Sequence, residues 1–333
     1  MLDLQCRIDL LVKLGDYLRQ NDEAWQSVVT QAGIRNPWFT KAFTDLAANA
    51  IADRFLQRPI LEKWVKQYPV PAVQPSPKKV GIVMAGNIPL VGFHDWLCVF
   101  ISGHVAHIKL SSKDTVLLPH LLDVLAQWEP AVKTHFRVAE QLKGCDAYIA
   151  TGSDNSARYF EYYFGKYPSI IRKNRTSVAI LNGQESTTEL ASLADDICLY
   201  FGLGCRNVTT LRVPIGYDFQ PLLDAGRKYG YFFDHSRYKN NYDYQLAVAL
   251  LNNRFYMTNN SILLIEQEAL FSPISQVNYA FYQPGEAPQA ALEGNNSVQC
   301  VVGQGGVPFG KAQEPAINDF ADGVDTMAFL AYL

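Results

Sequence analysis

Asp195-Asp-Ile-Cys-Leu-Tyr-Phe-Gly-Leu-Gly-Cys-Arg-Asn-Val-Thr-Thr-Leu-Arg-Val213 changes character halfway along. Its first residues fit a helix, and Val208 onward alternates as a strand does. Between them stand Gly202-Leu-Gly204 and then Cys205, so the cysteine is expected on a helix-to-strand turn. Glycines just ahead of it permit positive φ or close approach of another molecule to the backbone. Two interpretations follow. Cys205 is a nucleophile held up on a turn, or it is a buried thiol beside a glycine helix stop.

Working outward, the same alternation recurs. Lys79-Val-Gly-Ile-Val-Met-Ala-Gly-Asn-Ile-Pro89 is an apolar, buried-strand run that stops at Gly86-Asn87; Val91 to Ser102 is helix-like, and Val105 to Leu110 is a second strand. Leu117 to Leu125 reads as helix, Asp146 to Ser153 as strand and turn, Asn155 to Lys166 as helix, and Ser177 to Leu181 as strand again. Strands alternating with helices predict an α/β fold with a parallel sheet covered on both faces. Ligands of such sheets bind at the carboxyl ends of strands, where Asn87, Lys109 and Thr151-Gly-Ser153 fall. Upstream, Ile8, Leu10, Leu11, Leu14 and Leu18 recur at helical spacing, as do Phe39, Phe43, Leu46 and Ala50; they predict a helical packing layer. Pro69, Pro71, Pro75 and Pro77 end it in a stiff connector.

The chain has 333 residues, 48% hydrophobic and 18% charged, which is a globular balance with room for one large or two medium domains. A net charge of −3 offers no basic footprint for nucleic acid. Acidic residues near Met1 and the lack of a long apolar run predict a cytoplasmic protein with no signal peptide and no membrane span. Cysteines 6, 98, 145, 198, 205 and 300 form no CxxC pair and the histidines no HExxH, so neither a disulfide framework nor a metal is expected. GxGxxG and GxxxxGK[ST] are absent as well. Thr151-Gly-Ser153 opening a helix suits phosphate, although the same tripeptide also makes an ordinary N-cap turn.

Taken in order, the motifs resemble those of the aldehyde dehydrogenase superfamily, in particular the acyl-CoA reductases of the bioluminescence fatty-acid reductase type (LuxC-like). Ala85-Gly-Asn-Ile-Pro89 is similar to the superfamily's Pro-Trp-Asn-x-Pro, and Gly103-His-Val-Ala-His-Ile-Lys-Leu-Ser111 to its Gly-Asn-x-x-Val-x-Lys-Pro-Ser. Thr151-Gly-Ser153 resembles the cofactor Thr-Gly-Ser; Tyr200 to Cys205 resembles the nucleophile segment, and Pro308-Phe-Gly-Lys311 the late Pro-Phe-Gly-Gly. The resemblance implies a Rossmann-like cofactor domain over residues 1–176, an α/β catalytic domain over 177–333, and an active site between them. It implies that Cys205 attacks an acyl carbonyl as thiolate, and that the Asn87 amide shares the developing oxyanion with the Cys205 backbone N–H. Lys109 would hold the adenosine ribose and Ser153 a phosphate, with Ser111, Ser112, Thr151 and Gly152 completing that site.

Departures from the pattern sharpen the expectation. Where aldehyde dehydrogenases carry the glutamate that activates water, this chain has Ile170-Ile-Arg-Lys-Asn-Arg-Thr-Ser177, with no acid. Without a general base an acyl-enzyme persists until a thiol or hydride meets it, which favours thioester reduction. After the Lys-Pro-Ser element, a glutamate in NAD-preferring members is replaced by Ser112 and Lys113, which should admit a 2′-phosphate and so points to NADPH. Glu268-Ala-Leu-Phe-Ser-Pro273 matches the superfamily's Glu-Ile-Phe-Gly-Pro loosely; Glu268 is its candidate for the nicotinamide ribose.

The expected function is NADPH-dependent reduction of a fatty acyl thioester, carried on CoA or on a carrier protein, to the aldehyde. A homodimer or a complex with an acyl-transfer partner is the kind of assembly envisaged. One rival is an acyl phosphate reductase using Arg172, Lys173, Arg175 and Arg206 as a basic pocket; another is a non-catalytic acyl-binding subunit. Two aromatic segments stand outside the resemblance. Tyr159, Phe160, Tyr162, Tyr163, Phe164 and Tyr167 are expected mainly to pack in the core, with one edge bordering an adenine slot. Tyr229 to Tyr244 would line or cover an acyl channel or meet a second subunit, and His235 beside Asp234 fits a structural histidine better than a catalytic dyad.

Overall fold

The computed structural model describes residues 2–333 and divides into two units, residues up to 174 together with 315–333, and residues 175–314. The first opens with α1 (Leu4–Gln20), α2 (Glu23–Arg35), α3 (Lys41–Arg54) and α4 (Arg58–Val65). Asp3, Asp22 and Thr40 each accept a backbone N–H at the start of the first three, so the chain begins each helix on a side-chain cap. On α3 the buried face is Phe43, Ala47, Ala48 and Ile51. Leu46, expected on that face, is exposed, because the Phe43–Ala47–Ile51 spacing turns it to the other side.

Then come β1 (Lys79–Val83), α5 (Phe93–Ile101), β2 (Val105–Lys109), α6 (Leu117–Trp128), β3 (Phe136–Val138), β4 (Ala147–Thr151), α7 (Asp154–Phe164) and β5 (Ser169–Arg172). The strands form one parallel sheet in the order β3-β2-β1-β4-β5. α5 is buried except at half-buried His94, as a helix apolar from Trp96 to Ile101 must be, and its one acid, Asp95, is buried in an ion pair with Arg172. Its Phe93, Trp96 and Phe100 join Leu11, Leu14, Trp25 and Trp64 of the helical layer in one core.

The second unit contains β6 (Thr176–Ile180), α8 (Thr187–Cys198), β7 (Val208–Pro214), α9 (Gln220–Gly226), α10 (Ser236–Leu251), β8 (Tyr256–Thr258), β9 (Leu263–Glu266), β10 (Gln276–Tyr282) and β11 (Val298–Gly303). Its sheet runs β11-β6-β7-β10-β9-β8, parallel except for the edge hairpin of β8 and β9. Every residue of β6 is buried, which is why its sequence is not an alternating one.

The chain ends in α11 (Thr326–Ala331), and here the expected second domain of 177–333 needs correction: residues 315–333 belong to the first unit. Ile317, Phe320, Met327 and Leu330 enter that unit's core, and Tyr68 Oη donates to Asp325 at 2.9 Å. Carbonyl oxygens of Ile317 and Leu330 lie 2.8 and 3.1 Å from ring nitrogens of His94 and His104. The segment is short, and its few apolar residues carry no strand or helix period long enough to reveal where they pack.

Candidate active site

Cys205 lies half-buried in the turn that leads into β7. Three successive residues ahead of it adopt left-handed backbone: Tyr200 (φ 55°), Phe201 (φ 57°) and Gly202 (φ 72°). For two aromatic residues this is costly, about 1–3 kcal/mol each, and persists only where packing over-determines it. Phe201 supplies that packing. Its ring centroid is 4.5 Å from Phe232, 4.6 Å from His235 and 5.7 Å from Tyr238.

The Tyr229–Tyr244 region is thus largely wall for this turn. Tyr229, Phe232, Tyr238 and Tyr242 are buried; Tyr238 Oη donates to the Ser261 carbonyl, and His235 caps α10 by accepting the Tyr238 N–H at 3.2 Å. The cavity left beside Phe201 and Gly202 is about 20 Å³, too small for an acyl chain.

Asn207 fixes the other side of the turn. Fully buried, it accepts the Gly204 N–H at 2.8 Å through Oδ1, while Nδ2 donates to the carbonyls of Asp196 (3.0 Å), Ile197 (3.3 Å) and Leu199 (2.9 Å). One amide therefore binds the Cys205 turn to the last turn of α8. Asn207→Ala is expected to destabilise the second unit by about 2–3 kcal/mol, since the Gly204 N–H and three carbonyls lose their partner in a dry place. Hydrogen exchange at Gly204 and at β7 measures it.

Two side chains next to the cysteine were not foreseen. Ser177, the second residue of β6, donates through Oγ to the Cys205 carbonyl at 3.1 Å, and the Cys300 thiol of β11 lies 3.1 Å from the same hydroxyl. No motif announces them, because three strands far apart in sequence bring them together. Arg206 Nη1 donates to the Ala312 carbonyl at 3.4 Å, so the Pro308–Lys311 element and the cysteine turn do meet, as pieces of one unit. Asp196, 1% exposed, accepts the Gly310 and Ala312 N–H groups at 2.6 and 3.0 Å. Burial pushes its carboxyl up to about 6.

Glu268 is held by Arg212 of β7, at 2.6 Å to Nη1, with its side chain still largely exposed. The loop after it is pinned to the same strand. Thr209 and Thr210 donate to the Leu270 carbonyl at 2.6 and 2.7 Å, and Asn278 donates to those of Ala269 and Phe271.

The candidate cofactor residues gather at one end of the first unit's sheet. Val83, the last residue of β1, pairs with Lys109 on one side and Ala150 on the other, so Lys109 and Thr151 share the carboxyl edge. Lys109 is exposed there. Gly86 packs directly on Ser111: a β-carbon at Gly86 would stand 2.5 Å from Ser111 Oγ and 2.6 Å from its Cβ. Only glycine allows that approach. Ser111 Oγ also accepts the Lys113 N–H at 3.2 Å.

Asp114 ties the two loops together by accepting the N–H groups of Leu90 (3.4 Å) and Leu117 (3.3 Å), and burial raises its carboxyl above the usual range. Asn87 is half-buried on the loop between β1 and α5, and Ser112 and Lys113 are exposed. Ser153 caps α7, accepting the Ser156 N–H at 3.4 Å, and the Gly152 N–H donates to Arg172. An ammonium, serine hydroxyls and a helix N-terminus at one sheet edge are donors of the type that fits a phosphorylated ribose. On α7 the expected core packing fails for Tyr159, Tyr162 and Tyr163, which are exposed; Ala157 is the helix's one fully buried residue. Phe164 alone stacks closely inward, 4.2 Å from Tyr148.

The stretch without an acid is firmly engaged. Arg172, buried, places Nη1 at 2.7 and 2.6 Å from the two Asp95 oxygens and Nη2 at 2.9 Å from Thr326 Oγ1. Lys173 pairs with Glu161 at 3.0 Å. Among the described residues no group of three or more His, Cys, Asp or Glu is arranged to hold a metal ion, and no helix is long and apolar enough to cross a membrane.

No family model matches the sequence, and no curated protein does. Solved structures match with high confidence. An indole-3-acetaldehyde dehydrogenase from P. syringae, in complex with NAD+ and IAA, is 12% identical with a TM-score of 0.61 over 89% of this chain and 71% of its own. The gamma-glutamyl-gamma-aminobutyraldehyde dehydrogenase of Burkholderia cenocepacia gives 12% and 0.61 over 90% and 71%. Lactaldehyde dehydrogenase from Escherichia coli gives 12% and 0.59 over 90% and 74%. With parallel sheets in both units, the motif order and these neighbours agree on the architecture, and the chain has an aldehyde dehydrogenase-like α/β fold.

Proposed function

We propose that the protein reduces a fatty acyl thioester to the aldehyde with NADPH, through a covalent acyl-Cys205. The observation that carries this is the state of residues 169–177. No carboxylate stands there, and the three cations that do are engaged: Arg172 by Asp95 and Thr326, Lys173 by Glu161, and Arg175 by the Val298 carbonyl. Asp195 and Asp196, the acids nearest before Cys205 in the sequence, are paired with Lys228 and with two backbone N–H groups. A thioester on Cys205 would then draw no water-activating carboxylate from this stretch or from Asp195 and Asp196, and its hydrolysis would be slow.

In the forward direction the Cys205 thiolate forms a bond to the acyl carbon. The carbon–sulfur bond to CoA or to a carrier's thiol breaks, and that thiol leaves with a proton. Asn87 and the Cys205 N–H are the donors assigned to the oxyanion. NADPH supplies hydride to the thioester carbon; the bond to Cys205 then breaks, the aldehyde departs and the thiolate is restored. The first unit is the cofactor-binding part in this scheme, with Lys109, Ser111, Ser112, Thr151, Gly152 and Ser153, and the second unit is the catalytic part, with Glu268 toward the nicotinamide ribose.

Exposed Ser112 and Lys113, followed by a buried Asp114 that is turned to the Leu90 and Leu117 N–H groups, favour the 2′-phosphate of NADPH. Lys113→Glu is expected to shift the NADPH to NADH preference in kcat/KM by about tenfold toward NADH. The acyl phosphate alternative loses support because Arg172 and Lys173 are committed to ion pairs, while Arg175 and Arg206 donate to the Val298 and Ala312 carbonyls.

The deciding experiment is intact-protein and peptide mass spectrometry after incubation with palmitoyl-CoA and no NADPH. One acyl group on Cys205, released as aldehyde on adding NADPH, supports the assignment. A folded protein with no adduct overturns it.

A further inference from the structure

We propose that Asp196 is a positioning residue for Cys205, its buried carboxylate holding the 308–312 loop so that loop, helix α8 and cysteine turn form one closed unit. The bonds make a ring. The Asp196 carboxylate accepts the Gly310 and Ala312 N–H groups; the Ala312 carbonyl accepts from Arg206, next in sequence to Cys205; and Asn207 Nδ2, two places on, donates back to the Asp196 carbonyl. Cys205 directly precedes the two ring members Arg206 and Asn207, and Asp196 is the member that contacts both the loop and Asn207.

The loop is fitted closely to the helix at the same place. Gly310 has φ 80°, and a β-carbon there would stand 2.9 Å from Ser192 Cβ, one helical turn before Asp196. Among the described residues no cation meets the carboxylate, and two backbone N–H groups satisfy it. The charges around it are Asp195 with its partner Lys228 on the α8 side, Glu314 with Lys311 on the loop, and Arg206 on the turn. Burial, with smaller contributions from Asp195 and Glu314, brings its protonation to about pH 6.

Ionised, the carboxylate accepts both N–H groups as charge-assisted bonds; protonated, it accepts them weakly. Acidification through pH 6 therefore loosens the loop and the turn together. Global stability moves the other way. A carboxyl whose folded value is raised binds its proton more tightly in the folded state, so its contribution rises as pH falls from about 6 toward the ordinary carboxylate value.

The test uses Asp196→Asn and Asp196→Ala in the full chain. Iodoacetamide alkylation of Cys205 is quantified by peptide mass spectrometry against Cys6, a half-exposed thiol of the other unit. Hydrogen exchange, corrected for intrinsic rates, follows Gly310, Ala312, Gly204 and Asn207 at pH 7.5 and pH 5. In the Asn variant alkylation of Cys205 relative to Cys6 is expected to rise about tenfold, protection at all four amides to fall by a similar factor, and the pH dependence of that protection to disappear.

Cys205 alkylation within about twofold of the original overturns the proposal even if Gly310 and Ala312 lose protection, since Asp196 would then be a loop latch alone. If neither variant folds, the original protein decides. Protection lost together at the loop and turn amides between pH 7.5 and pH 5 upholds the proposal; loss at the loop only overturns it. The proposal takes Cys205 as the reactive thiol from the reductase assignment, but alkylation needs no acyl-CoA. A protein without reductase turnover can still pass, and one with turnover can still fail.

Discussion

Cys205→Ser is expected to lower NADPH-dependent reduction of palmitoyl-CoA by about 10³-fold or more, with palmitoyl-CoA binding retained and the thermal midpoint nearly unmoved. A serine hydroxyl needs a base to attack a thioester, and the chain presents none on this turn: Asp195 and Asp196 are committed and His235 caps a helix against Phe201. A thiol in general needs much less help than a hydroxyl, because sulfur gives up its proton far more readily and is the stronger nucleophile. The turn itself argues that this position is worth holding. Two aromatic residues in left-handed backbone are an expense that core filling does not require, and the surrounding structure sustains it through Phe232, Tyr238 and the four bonds of Asn207. Unchanged turnover in the serine variant would take the chemistry away from Cys205, whereas equal palmitoyl-CoA binding by both forms with turnover in neither would move the protein to the rival class, an acyl-binding subunit that keeps the fold without its chemistry.

How far the sequence alone reaches can be judged from particular residues. The alternation of strands and helices from Lys79 to Leu181 is local information, since a buried parallel strand must be a short apolar run, and β1, β2, β4 and β6 were found that way. β3 and β5 were not. They are short edge strands, and Phe136-Arg-Val138 and Ser169 to Arg172 mix polar with apolar residues because one side of each is open. The turn that carries Cys205 was legible from the two glycines ahead of it, and the side chains that support the turn were not. Ser177, Asp196, Asn207 and Cys300 act through partners elsewhere in the fold, and a serine, an acid, an amide or a thiol looks ordinary until its partner is placed. The tyrosines of α7 mislead for the opposite reason. Helical spacing at Tyr159 and Tyr163 aligns them on one face, but the period does not say which face is covered.

The same limit hides the buried ion pair of the first unit. Asp95→Ala is expected to destabilise that unit by about 3–5 kcal/mol, because it strands the Arg172 guanidinium where water cannot reach it. The Asp95 side chain is 11% exposed and that of Arg172 4%, and Nη1 bonds both carboxylate oxygens. The pair also fastens three pieces that no continuous strand or helix connects. Asp95 belongs to α5, Arg172 ends β5, and Thr326 at the start of α11 takes the second guanidinium nitrogen. Urea unfolding followed by tryptophan fluorescence isolates the effect, since all five tryptophans (25, 38, 64, 96 and 128) lie in the first unit. Asp95→Leu combined with Arg172→Met is expected to recover most of the loss, as replacing both partners removes the buried charge that replacing one leaves behind. A single Asp95→Ala that unfolds within about 1 kcal/mol of the original would mean that water or a neighbouring group reaches Arg172 after all. The guanidinium would then be available to a charged substrate, and the acyl phosphate alternative would regain the basic residue it now lacks.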